Sequence, residues 1–141
     1  MSRRDQQRLA DYLGHILQAI ERIERYTEDL GEVAFLEDEM AQDAVIRNFE
    51  IIGEASHNIE ARFPEFAQAH PELPLAFSYQ MRNAVAHGYF KVDLEIVWKT
   101  LNNDLAGLYS QVQTVFADLP NVAPRVAILH GQYVRALETA P

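Results

Sequence analysis

Within eight residues the chain places a permanent cation, an imidazole and a phenol: Arg82, His87 and Tyr89, in the run Met81-Arg82-Asn83-Ala84-Val85-Ala86-His87-Gly88-Tyr89-Phe90. A guanidinium binds a phosphate through two parallel N–H donors, and an imidazole titrates close enough to neutrality to take or give a proton. Together they mark this segment as the place to seek an anion site. With ten Arg and five His in the chain, chance yields about 0.35 Arg-x4-His pairs, and about 0.015 once a Tyr two residues later is required. The surroundings sharpen the contrast, because Glu72 and Asp93 bracket twenty residues without a carboxylate, holding Arg82, His87 and Lys91.

Other chemistries find less support. Cys 0 excludes a disulfide framework, a thiolate zinc site and a cysteine nucleophile. The histidines at 15, 57, 70, 87 and 130 form no pair at short spacing and no H-E-x-x-H, so no metal and no cofactor is expected. The few glycines do not cluster into a phosphate-binding loop, and Ser56, Ser78 and Ser110 lie in ordinary helical contexts. A net charge of −9 argues against coating nucleic acid by bulk attraction. Residues 31–66 hold nine acids and two bases, hence −7 of that −9.

The elements that must position the trio are helical. Leu9, Leu13, Ile16, Ile20 and Ile23 step by four and three, as do Leu94, Trp98, Leu101, Leu105, Leu108, Val112 and Val115. Such spacing keeps one stripe facing a neighbour along a helix. A second helix is predicted from about Asp38, with Val45, Phe49, Ile52, Ile59 and Phe63 inward, after a first helix that Gly31 can end. Pro64, Pro71 and Pro74 mark 64–74 as a loop or short turn. A third helix is predicted from Pro74 or Leu75 to His87 with Gly88 as its left-handed terminator, and a fourth begins after an Asp93 N-cap. Helices of about 22 residues would be about 33 Å long. No period-two alternation predicts a sheet, so the expected fold is an all-α, up-and-down bundle of four to five main helices, one domain over residues 1–141. Val122, Val126, Leu129 and Tyr133 predict a helical C-terminal extension over 117–141. No apolar run reaches membrane-spanning length and the N-terminus lacks a secretory core, so a cytoplasmic protein is expected.

Positions five apart on an unbroken helix differ by about 140° around its axis. Arg82 and His87 can converge if the helix ends near His87, or if two copies of it meet across a dimer axis. Each also has an ordinary role: Arg82 as a surface ion-pair partner, His87 as a helix-end residue favoured by the macrodipole, and Tyr89 as a turn residue packed on the core. Trp98 is expected in the core, Asn48 as a register residue, His57 and His70 as exposed, and Gly53 as a point of close helix packing.

The segment RNAVAHGYFKVD resembles the R-x4-H-x-Y signature of HEPN-domain toxins of the HepT type. The resemblance runs back through QDAVIRNFEIIGEAS and forward through VDLEIVWKTLNNDLAGL, covering roughly residues 9–116. It implies a HEPN-like homodimeric bundle that acts as a metal-independent endoribonuclease on RNA, as the toxin of a toxin–antitoxin system. It implies a cognate MntA-type nucleotidyltransferase antitoxin that silences the toxin by AMPylation of the motif tyrosine. Position by position, Arg82 and His87 match the catalytic pair, Tyr89 the modified residue and Asn83 the polar residue after the arginine. Leu75 stands where a tryptophan is common, and Gln80 where a small residue is usual. RNA carries its own nucleophile, the 2′-OH, which fits a site without a metal-bound water. Two other readings stay open: an inert helical adaptor that docks a nucleotidyltransferase, and a nucleotide-binding module in which Arg82 grips a phosphate without chemistry.

Overall fold

The predicted stripe of the first helix is buried along its length. In the computed structural model, which describes residues 1–87 and 93–120 (leaving aside the side chains of residues 77 and 83–87), α1 spans Arg3–Thr27. Leu9, Leu13, Ile16, Leu17, Ile20 and Ile23 are all fully buried. Ser2 caps the start, its hydroxyl accepting from the Asp5 amide at 3.0 Å. The helix stops at Thr27, ahead of the predicted Gly31. Gly31 instead precedes a six-residue helix, α2 (Glu32–Glu37), which seats Phe35 in the core. An element that short leaves no periodic signal in the sequence and is stabilised by burial of its one large apolar side chain.

Helix α3 (Glu39–Arg62) starts where Asp38 predicts, with the Asp38 carboxylate accepting from the Ala41 amide at 3.0 Å. Its inner face carries Val45, Phe49, Ile52, Ile59 and, just past the end, Phe63, all buried as expected. The proline-marked stretch folds into α4 (Pro64–Ala69), with Pro64 in the first turn, where its missing N–H costs nothing. Helix α5 (Leu75–His87) has the predicted bounds.

The expected fourth helix is two. Asp93 caps α6 (Leu94–Asn103) by accepting from the Glu95 and Ile96 amides at 3.0 and 3.3 Å, and α7 (Leu105–Ala117) follows after one interrupting residue, Asp104. Asn102, Asn103 and Asp104 are poor helix formers whose side chains compete for backbone groups, and Asn102 Nδ2 does bond the Trp98 carbonyl at 3.0 Å. Because α6 and α7 nearly continue one another, Val97, Leu105, Leu108, Val112 and Val115 still face inward. Trp98, expected in the core, is half-buried, its ring tilted against Phe35 at 5.2 Å.

The described residues thus form an all-α bundle of seven helices, five long and two of six residues. Helix α3 is central: α1 packs along one side and α5 along another, while α7 closes over α1. Among the described residues no helix is long and apolar enough to cross a membrane. Gly88, Tyr89 and the extension beyond residue 120 lie outside the described residues.

Candidate active site

The arginine is placed by a glycine. Helices α3 and α5 meet at Gly53, where an added Cβ would collide with the Arg82 Cβ and lie 2.8 Å from Arg82 Cγ and 3.0 Å from the Ser78 carbonyl oxygen. Only a hydrogen fits, so the aliphatic stem of Arg82 lies directly on the α3 backbone. Close packing at Gly53 was legible in the sequence; that the packed group would be Arg82 was not. One turn away the same contact is held by His57 and Tyr79, whose rings stack at 4.2 Å and 20°. His57, expected to be exposed, is therefore half-buried between the helices. Ser78 is buried and its hydroxyl donates to the Pro74 carbonyl at 2.9 Å, tying off the first turn of α5.

From this seat the guanidinium reaches outward. Arg82 Nη2 lies 3.7 Å from Glu54 Oε2, with the Arg82 side chain 32% exposed and that of Glu54 55% exposed. The acid-free window around Arg82 is a property of the sequence and not of the space, because α3 supplies a carboxylate. At this exposure the pair contributes little to stability. It holds the guanidinium at the mouth of a hollow of about 370 Å³, whose walls include Tyr12 and His15 of α1 and Arg47, Glu50 and Asn58 of α3. A bidentate donor at a solvent-open hollow is equipped to receive a phosphate.

Helix α5 ends at His87, as foreseen. Positions 82 and 87 differ by about 140° around one axis. Arg82 lies against α3; the side chains of Asn83 and His87, and all of Tyr89, lie outside the described residues. Asn48 is buried on α3, but its Nδ2 donates to the Ala44 carbonyl of its own helix at 2.8 Å and not across to a neighbour, as a register residue would. His70 is half-buried, its ring tilted against Phe66 at 4.5 Å and 2.8 Å from Glu72 Oε1.

The sequence also holds one helix-borne ligand spacing of the Glu-x-x-His kind, Glu54 to His57, which metal-binding bundles use. Here Glu54 faces Arg82 and His57 lies on Tyr79. Among the described residues no three of His, Asp and Glu come together as a metal-binding group.

Comparison with known proteins decides the family. The model of the family described as "Ribonuclease HepT-like" matches residues 16–115. The chain belongs to the HepT-like family. It is 45% identical over 98 residues to "Probable ribonuclease HepT" of Thermococcus cleftensis, covering 70% of this chain and 86% of that protein. It is 32% identical over 115 residues to "Putative RNase MJ1380" of Methanocaldococcus jannaschii, covering 82% of this chain and all of the other. A second relative from that organism, named "Gamma-glutamylcyclotransferase and putative RNase MJ0434", is 38% identical over 108 residues, 77% of this chain but only 47% of its own length. No solved structure gives a significant match. The HepT-like match spans the α3–α5 contact, so Gly53 and Arg82 both fall within it.

Proposed function

We propose that this HepT-like chain is a metal-independent endoribonuclease that cleaves RNA by attack of the 2′-OH on the neighbouring phosphate. The observation that carries the reading is Arg82, seated on Gly53 and presented at an open hollow inside the segment matched by the family. Arg82 would bind the scissile phosphate, displacing its contact with Glu54, and stabilise the charge that builds on the pentacoordinate phosphorus. His87 would take the 2′-OH proton or protonate the departing 5′-oxygen. Asn83 supports the pair. The products are then a 2′,3′-cyclic phosphate and a 5′-OH, with no water consumed in the first step.

The 140° between positions 82 and 87 favours a composite site. In a homodimer, two copies of α5 meeting across a twofold axis bring the His87 of one near the Arg82 of the other. One histidine then serves as base and the other as acid. In this reading the chain is a single domain, its C-terminal extension from residue 117 widens the dimer surface, and the protein is a cytoplasmic toxin. Its antitoxin is an MntA-type nucleotidyltransferase that transfers AMP to Tyr89. The added bulk and phosphate, two residues from His87, compete for Arg82 and close the cleft.

The test is cleavage of a mixed RNA pool by the purified protein in EDTA, beside Arg82→Ala and His87→Ala. Wild type should cut and leave cyclic phosphate ends, and each variant should lose at least about 100-fold. Equal activity in all three, or an absolute need for magnesium, removes the assignment. Intact mass after co-expression with the nucleotidyltransferase should rise by multiples of an AMP residue mapping to Tyr89.

A further inference from the structure

Helices α1 and α3 leave a seam on the outside of the bundle, of which the proposed chemistry uses only the hollow at Arg82. On α1 the residues facing it step as Arg8, Tyr12 and His15, and on α3 as Arg47, Ile51, Glu54, Asn58 and Arg62. Both series keep helical spacing, so each wall is a straight line of side chains. The hollow at Arg82 occupies one stretch of this seam. A second hollow of about 360 Å³ occupies the next, between Arg8 and Asp5 of α1 and Arg62, Phe63, Glu65 and Phe66 at the α3–α4 corner. The two adjoin through an aromatic bridge: Tyr12, in the wall of the first, meets Phe63, in the wall of the second, edge to face at 6.4 Å. Tyr12 meets His15 in the same manner, at 6.4 Å and 76°.

The charges along the seam differ from those of the whole chain. Arg8, Arg47, Arg62 and Arg82 face Asp5, Glu50, Glu54 and Glu65, a balance of four against four in a protein of net −9. Arg8 and Arg62 are exposed, and their side chains make no hydrogen bond or ion pair among the described residues. From Glu54, beside Arg82, to Arg62 is eight residues of helix, about 12 Å, a distance that spans several stacked nucleotides.

We infer that the α1–α3 seam is a track for single-stranded RNA running from the phosphate held at Arg82 to the arginines Arg8 and Arg62. Bases rest on Tyr12 and His15, whose rings offer a face to any base, while Arg62 and Arg8 receive the phosphates beyond. Glu50 and Glu54 repel phosphate and can accept from a base amino group, which favours one strand orientation in the first hollow. The track rests on the ribonuclease reading for its origin at Arg82, but it makes a claim about binding that can be measured without cleavage.

The experiment uses the full chain and a fluorescent 2′-O-methyl octanucleotide of mixed sequence, which lacks the nucleophile. Arg8→Gln/Arg62→Gln should weaken its binding about tenfold and lower the slope of log K against log salt by about 1.4, from about 0.7 for each lost phosphate contact. Tyr12→Ala should weaken binding at least fivefold and Tyr12→Phe should restore it; because Tyr12→Phe keeps the ring packed on Phe63, lost stacking is separated from lost folding. Arg25→Gln, off the seam, leaves binding unchanged. With cleavable RNA, the ratio of kcat/KM for an octamer to that for a dinucleotide should fall about tenfold in Arg8→Gln/Arg62→Gln. Octamer binding and this ratio both equal to wild type would overturn the track even if RNA is cleaved. Loss of octamer binding in the seam variants, with no cleavage of any RNA by wild type, would leave the track standing and remove the nuclease.

Discussion

Helix α3 is gripped on two sides by different means. Against α1 it buries a continuous apolar stripe, in which Leu13, Ile16, Ile20 and Ile23 meet Val45, Phe49, Ile52 and Ile59. Against α5 the contact is close and partly polar: a glycine under an arginine stem, a histidine on a tyrosine, a buried serine bonded back to its own turn. Helix α5 makes its extensive contact with α3 and has no comparable one elsewhere among the described residues. The first contact supplies stability and tolerates only apolar residues of the right volume. The second places the Arg82 guanidinium at the edge of a solvent-open hollow. The main apolar packing and the seat of Arg82 lie on different faces of one helix, so each can be disturbed with limited damage to the other.

That separation can be broken or sharpened by substitution, beginning with the largest effect. Ile20→Ala, in the α1 stripe, should cost about 2–5 kcal/mol of folding stability, read by chemical denaturation, while RNA cleavage per folded molecule stays near wild type. Gly53→Ala tests the other side. The new methyl must push α5 or the Arg82 stem away, costing about 1–3 kcal/mol, and cleavage should fall by more than the loss of folded protein explains. If cleavage instead tracks the folded fraction, Gly53 does not place the arginine. Asp93→Ala removes the acceptor for two amides at the start of α6 and should cost about 1 kcal/mol, seen as a modest fall in Tm.

The smallest effect concerns Glu72, whose carboxyl is held below its ordinary value by a bond from its own backbone amide and then by His70. A carboxylate whose pKa is depressed on folding adds stability above its unfolded pKa and loses it as pH falls through the folded value. The contribution is confined to the acid side of the ordinary glutamate range. His70→Ala should move the Glu72 titration, followed by NMR, back toward that range; no movement would show that the backbone bond alone sets it.

The two sides of α3 also differed in how well the sequence announced them. The α1–α3 stripe was plain, because four-and-three spacing of large apolar residues leaves only one face to bury. The bounds of α3 and α5 were equally plain from Asp38, the prolines and Leu75. The break at Asp104 was missed because the apolar period runs through it; the Asn-Asn-Asp cluster was the available signal. Within the site, Arg82 was identified by its neighbours in the chain, but its carboxylate partner lies on another helix. No local pattern marks a contact between Glu54 and Arg82, and an acid-free window invited the opposite expectation. Gly53 carried half of the answer: a small residue amid a bulky helix face reports that something approaches, and says nothing of what.

The depth of that notch has a practical consequence for anyone wishing to produce such a protein in living cells. An arginine whose position depends on a gap one hydrogen deep can be shifted by degrees through the size of whatever fills it, from alanine through serine to valine. Such a series would weaken the proposed cleavage by steps while leaving Arg82 itself unaltered.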